Sequence, residues 1–214
     1  MKVAIAGGHG KIGTRLTRLL VDRGDAVLSI NRKPDYSDEI RALGAEPVVC
    51  DLEQATEEEL VEALDAADAI VFAAGAGPGS GPERKWTMDH GGAVKLIAAA
   101  KAASIARYVI VSSVGADPDH PGDETFDVYL RAKGKADAEL AASGLDHTIV
   151  RPHGLTDDPG SGTVRVGNGL ERGEVSRDDV AAVLAVSLTE ERTIGKTFEV
   201  VAGDTPIAEA LAGL

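Results

Sequence analysis

Short β-rich apolar runs alternate along this chain with longer stretches in which apolar residues recur at helical spacing, the pattern of an α/β protein. Val3 to Ala6 reads as the first strand, and Ile12, Leu16, Leu19 and Leu20 then repeat on one helix face while Arg15, Arg18 and Asp22 face water. Gly24 ends that helix as a C-terminal cap does. Ala26 to Ile30 is predicted as the second strand, Ser37 to Leu43 as a short helix, and Pro47 to Cys50 as the third strand. Thr56 opens a helix whose first turn holds Glu57, Glu58 and Glu59, where the helix dipole favours negative charge. Ala69 to Phe72 follows as the fourth strand, and a glycine-rich stretch from Gly75 to Pro82 reads as a mobile loop.

Downstream, a long helix is expected from about Trp86 to Ala103, a fifth strand over Tyr108 to Val111, a helix over Thr125 to Ala142 and a sixth strand over Thr148 to Val150. Short extended pieces are expected at Thr163 to Val166 and Phe198 to Val201. Ser176 caps a helix reaching Leu188, and Thr205-Pro206 opens a last one. Alternation this regular implies parallel strands joined by right-handed crossovers, with helices on both faces.

At 214 residues the chain suits one domain, with small substrate-side elements from about residue 152 to 214. It has no apolar run of the roughly 18 to 20 residues that a membrane helix needs, and no secretory signal pattern leads into the first strand. A cytoplasmic protein without membrane contact is expected. A lone cysteine, Cys50, excludes an internal disulfide and a cysteine-rich zinc cage, and reads as a small buried filler. Thirty-five acids against 22 bases give a net charge of −13, the wrong balance for nucleic-acid binding. Residues 1–33 depart from that balance: Lys2, Lys11, Arg15, Arg18, Arg23, Arg32 and Lys33 face only Asp22 and Asp25. An anionic ligand is expected to dock there.

The loop Gly7-Gly8-His9-Gly10-Lys11-Ile12-Gly13 joins the first strand to the first helix, with Gly7, Gly10 and Gly13 spaced G-x-x-G-x-x-G. Such a loop turns tightly, lets the backbone approach a pyrophosphate and aims a helix N-terminus at it. His9 is placed to touch phosphate. The end of the second strand selects the cofactor: an acid there binds the ribose 2′-hydroxyl of NAD, an arginine the 2′-phosphate of NADP. Here it reads Asn31-Arg32-Lys33, with no acid before Asp35, so NADP is favoured over NAD. A merely solvated Arg32 is the alternative. Asp51 and Leu52 end the third strand, and Ala73, Ala74 and Gly75 the fourth, both bordering the ligand crevice of such sheets.

Ser112 and Ser113 end the fifth strand, and Tyr129 and Lys133 share one face of the next helix at i and i+4. That set suits carbonyl reduction: the phenol gives a proton to the developing alkoxide, the lysine steadies the phenolate, and a serine polarises the oxygen.

Together with Phe72 to Gly75 and Arg151-Pro152, these motifs resemble the short-chain dehydrogenase/reductase superfamily along essentially the whole chain. More narrowly, the sequence is similar to the atypical NAD(P)-binding branch, which includes biliverdin-reductase-B-like, NmrA-like and NAD-dependent epimerase/dehydratase-like proteins. The resemblance implies a Rossmann-type doubly wound sheet. It also implies Asp51 and Leu52 at adenine, Ser112, Ser113, Tyr129 and Lys133 around the nicotinamide, Lys133 reaching its ribose, and Pro152, His153 and Gly154 at the carboxamide edge. Extended-branch sugar epimerases carry a larger C-terminal portion than this chain has room for.

His90, His120 and His147 lack partners at metal-ligand spacing and read as structural or solvated, and Asp157-Asp158 as surface; no metal is expected. Gly91-Gly92 sits inside an expected helix at a cost of about 1 kcal/mol each relative to Ala; close approach to a cofactor or a tolerated weakness would each explain it. Two functions remain open. One is an NADP(H)-dependent oxidoreductase acting on a small carbonyl-, flavin- or tetrapyrrole-like substrate; the other is a non-enzymatic NADP(H)-responsive protein whose loop 75–82 signals to a partner. The many charges on the helix from Thr125 to Ala142 suggest a monomer or weak dimer.

Overall fold

Successive side chains of β1 (Lys2–Ala6) serve two different cores: Val3 and Ile5 face one, Ala4 and Ala6 the other. The same alternation holds in β4 (Ala69–Phe72) and β5 (Arg107–Val111), where Ile70, Phe72, Tyr108 and Ile110 oppose Ala69, Val71, Val109 and Val111. A strand covered on both faces must be apolar at every position, which is why these runs show no polar alternation. The computed structural model describes residues 1–77 and 79–214.

One face is covered by α1 (Lys11–Arg23), α2 (Ser37–Ala42), α7 (Arg177–Ser187) and α8 (Ile207–Ala212), which contribute Leu16, Leu20, Ile40, Leu184 and Leu211. The other is covered by α3 (Glu57–Leu64), α5 (Ala93–Ala102) and α6 (Thr125–Ala142), through Leu60, Leu64, Leu96 and Leu140. Each fully buried leucine of this kind contributes about 1.5–3 kcal/mol. Gly24 ends α1 at φ 91°, its N–H returning to Leu20 and Val21. Thr56 and Glu59 form a reciprocal capping box on α3.

With β2 (Ala26–Asn31), β3 (Glu46–Val49), β6 (Asp146–Pro152), β8 (Thr163–Gly167), β10 (Lys196–Ala202) and β11 (Thr205–Pro206), the main sheet has nine strands in the order β11-β8-β10-β6-β5-β4-β1-β2-β3. Strand order reverses between β1 and β4, whose parallel pairing sets Ala6 beside Phe72. In doubly wound sheets the carboxyl ends at that reversal open the ligand crevice.

Several expectations need correction. β8 runs antiparallel to β10 and β11 antiparallel to β8, so the sheet is parallel only as far as β10. Thr205-Pro206 does lead into the last helix, with Pro206 at its N-cap, but the two residues also form the edge strand. A second sheet, of β7 (Gly154–Thr156) and β9 (Glu174–Ser176), was not expected; three-residue strands carry no readable period. The sixth strand is longer than expected, so His147 lies in a strand and Pro152 ends one. The helix expected from Trp86 begins earlier and has three parts: α4 (Pro82–Arg84), a π-helical segment (Lys85–Gly92) and α5. Gly91-Gly92 closes the π-helical part. A Cβ on Gly91 would lie 3.1 Å from the Trp86 carbonyl, and one on Gly92 3.2 Å from Met88 Sδ.

Candidate active site

The β1–α1 loop is built on close backbone approaches. Gly7 has φ 82°, and a Cβ there would stand 2.7 Å from Ala74 Cα. At Gly13 a Cβ would overlap the Gly7 carbonyl, so this glycine lets α1 pack onto the loop. Gly8, which lies outside the G-x-x-G-x-x-G spacing, is equally constrained, because a Cβ there would overlap Ser29 of β2. Gly10 differs: among the described residues a Cβ there would meet only the Gly7 carbonyl, at 3.0 Å, and the residue is exposed to the crevice. Among the described residues no side chain caps α1, and its first turn carries no acid. An uncapped helix N-terminus with backbone N–H groups to satisfy suits an anion such as pyrophosphate.

A cavity of about 300 Å³ opens beside that loop, lined among others by Gly7, His9, Gly10, Asn31, Arg32, Leu52, Ala73, Ala74 and Gly75. Arg32 is exposed at its rim, whereas Asn31 is buried with Oδ1 lacking a partner among the described residues. Tyr36, Arg84 and Met88 also line it, and none of these was expected. His9 stacks on Tyr36 with ring centroids 3.6 Å apart and bonds Glu39 at 2.8 Å. Cys50 borders the cavity too; burial, then Glu59 and Asp51, push its thiol up, away from reactivity.

A second cavity, of about 530 Å³, shares Ala73 to Gly77 with the first and continues along the carboxyl ends of β4 and β5. Ser112, Tyr129 and Lys133 line it, with Lys85, Asp89, Phe126 and Leu155. Lys133 donates to the Val111 carbonyl at 3.0 Å and lies 3.6 Å from Asp89 Oδ1. Asp89 also accepts from the Ala76 N–H at 3.1 Å. With Arg84 on the Ala76 carbonyl and Lys85 on the Gly77 carbonyl, the segment after β4 is held to the following helix at both residues. Pro78, within the loop expected over 75–82, lies outside the described residues.

The Ser112 hydroxyl donates to Asp137 Oδ2 at 2.8 Å, and the same oxygen receives two bonds from Arg151. Burial raises the Asp137 carboxyl, opposed by Arg151. Tyr129, Lys133 and Asp137 thus descend one face of α6 at i, i+4 and i+8.

Other sequence-selected residues line neither cavity. Lys11 pairs with Asp157 at 2.5 Å, and Ile12 packs on the core beneath α1. Asp51 caps the turn at Glu53. Ser113 donates to the Val114 carbonyl. Pro152 is buried as the last residue of β6, and Gly154 starts β7, exposed. His153 turns to Glu199 at 3.3 Å and accepts from the Gly173 N–H, because β10 lies directly beyond β6. Asp157, read as surface, is exposed and gathers Lys11, Arg15 and Arg177.

The comparisons with known proteins agree with the fold. A family model described as NAD(P)H-binding matches residues 7–191. "Uncharacterized sugar epimerase YhfK" of Bacillus subtilis (strain 168) is 43% identical over 215 residues, covering 100% of both chains. Among solved structures, a Bacillus halodurans protein described as of NAD-dependent epimerase/dehydratase type superposes with a TM-score of 0.92 at 39% identity, over 100% of both chains. The oxidoreductase ylbE of Lactococcus lactis does so with a TM-score of 0.86 at 28% identity, over 100% of this chain and 96% of its own. Glycine loop, doubly wound sheet and full-length relatives agree: the chain belongs to the NAD(P)H-binding family, in the atypical branch of the short-chain dehydrogenase/reductase superfamily.

Proposed function

We propose that this protein is an NADP(H)-dependent oxidoreductase that interconverts a small carbonyl compound and its alcohol. The observation that carries the reading is a pair of cavities that share the Ala73–Gly77 wall, with an uncapped helix N-terminus and Arg32 on one and Tyr129 and Lys133 on the other. Gly7, Gly10 and the first turn of α1 would hold the pyrophosphate, and Arg32 the 2′-phosphate, for which a guanidinium fork is well shaped. Asn31 Oδ1 offers a buried acceptor to the nucleoside between them. When bound, the nicotinamide supplies or takes the hydride.

Tyr129 holds the proton at its phenol oxygen and delivers it to the substrate oxygen. Lys133, fixed by Asp89 and the Val111 carbonyl, places a cation one helical turn below. The Ser112 hydroxyl, with its proton directed to Asp137, presents lone pairs to the cavity and can accept from a substrate hydroxyl or N–H.

That commitment of Ser112 is also what favours the second reading, a cofactor-responsive protein without catalysis, since no serine proton is left to polarise a carbonyl. The experiment that tests the function is a panel of aldehyde, ketone and quinone acceptors with NADPH or NADH, followed by nucleotide absorbance. Acceptor-dependent consumption of NADPH, faster than that of NADH, is expected. Tight NADPH binding with no consumption across the panel would favour the second reading.

A further inference from the structure

Large apolar side chains are exposed at only a few described positions: Met1, Leu19, Val49, Phe126 and Leu155. Two of them, Phe126 of α6 and Leu155 of β7, come from separate elements and both line the second cavity. Phe126 is 64% exposed, and its ring lies 5.8 Å from that of Tyr129 with 28° between planes. The pair forms a two-ring platform at the mouth. Lys85 Nζ sits 5.5 Å above the Tyr129 ring and touches the Gly77 carbonyl at 3.2 Å. In a chain of net charge −13, it makes no ion pair among the described residues. The other charged groups lining the cavity, Asp89 and Lys133, are buried and satisfy each other.

We propose that this cavity selects a planar aromatic carbonyl compound bearing a single carboxylate or sulfonate, its ring lying on Phe126 against Leu155 and its anionic group bound by Lys85. Apolar walls with one convergent charge are the usual build of a small-molecule site, and the cavity volume suits one or two fused rings. An exposed aromatic platform rewards stacking. A lone ammonium is a point charge, fitted to a monoanion; a phosphate would call for a guanidinium fork or clustered N–H groups. The assignment rests on the oxidoreductase reading for the position of the carbonyl, but not for the binding of the anion.

The test is calorimetry on the protein loaded with NADP⁺, so that no reduction intervenes, with 6-acetyl-2-naphthoate and its neutral amide, 6-acetyl-2-naphthamide, as probes. The naphthoate is expected to bind about tenfold more tightly, the scale of one charge-assisted hydrogen bond. In Lys85→Gln the preference should collapse to within about twofold, while Lys85→Arg retains it. Phe126→Ala should weaken both probes together. Equal binding of the two probes, a preference that survives Lys85→Gln, or binding of neither would overturn the proposal. Selective binding without NADPH consumption would count against the oxidoreductase reading alone, and consumption without anion preference against this proposal alone.

Discussion

Lys133 and Asp89 form a buried ion pair, Nζ to Oδ1 at 3.6 Å, with side chains 4% and 2% exposed. The pair ties α6 to the π-helical segment and, through the Ala76 N–H on Asp89, to the end of β4. Removing one partner leaves the other charged and buried. Asp89→Ala should therefore cost about 3 kcal/mol of folding stability. Asp89→Asn, which keeps an acceptor for Ala76, should cost less. Urea unfolding of the two variants decides this, and equal, negligible losses would show that the pair is not coupled to the fold.

Gly10 and Gly13 should fail in different ways. A side chain at Gly10 points into the crevice, so Gly10→Val should keep its fold and lose nucleotide affinity by about a hundredfold or more, as pyrophosphate must approach the backbone there. Gly13→Ala drives a methyl into the Gly7 carbonyl and should lower stability by about 1–3 kcal/mol. Melting curves and calorimetry on both variants separate the effects.

Arg32 should set cofactor choice. It is exposed at the rim of the first cavity, and no acid follows it before Asp35. Arg32→Ala should weaken NADPH by about tenfold while leaving NADH nearly unchanged, the loss of one charge-assisted contact. Equal affinities for NADPH and NADH in the unmodified protein would remove the basis for the preference.

The glycine loop was legible because Gly7 and Gly13 answer backbone constraints, and such constraints leave a residue type at a fixed spacing. The position of Arg32 at the cavity rim was legible because a strand end fixes where its side chain can reach. Asp89 was not: an acid within a helical stretch looks like a solvated face, and only the arrival of α6 buries it against Lys133. The width of a π-helix is likewise unwritten in a 3.6-residue period, although Gly91-Gly92 marked the place. His153 followed the resemblance to the wrong neighbour, since β10 and Glu199 approach from far along the chain. Phe126 passed unremarked because one apolar residue in a charged helix start carries no pattern.

Acid should loosen the crevice through Glu53. Although burial pushes its carboxyl up, bonds from Thr87 and Arg84, and the charges of Arg84 and Arg32, hold it below its ordinary 4.5. A carboxylate whose pKa falls on folding gives stability that is complete above the unfolded value and is lost as pH drops through the folded one. The melting temperature should hence fall below about pH 4.5, less steeply in Glu53→Gln. Identical acid profiles for the two proteins would show that Glu53 contributes nothing to the slope.

The most direct test of the account is the rate of substrate reduction by Tyr129→Phe at saturating NADPH, with an acceptor that the unmodified protein turns over. The change removes one hydroxyl from the cavity wall, so nucleotide affinity should stay within about twofold while turnover falls by about a hundredfold or more, the scale of a lost general acid. Reduction at the unmodified rate would contradict the account, because the proton would then come from water or from the substrate, and Tyr129 would be only a wall of the cavity.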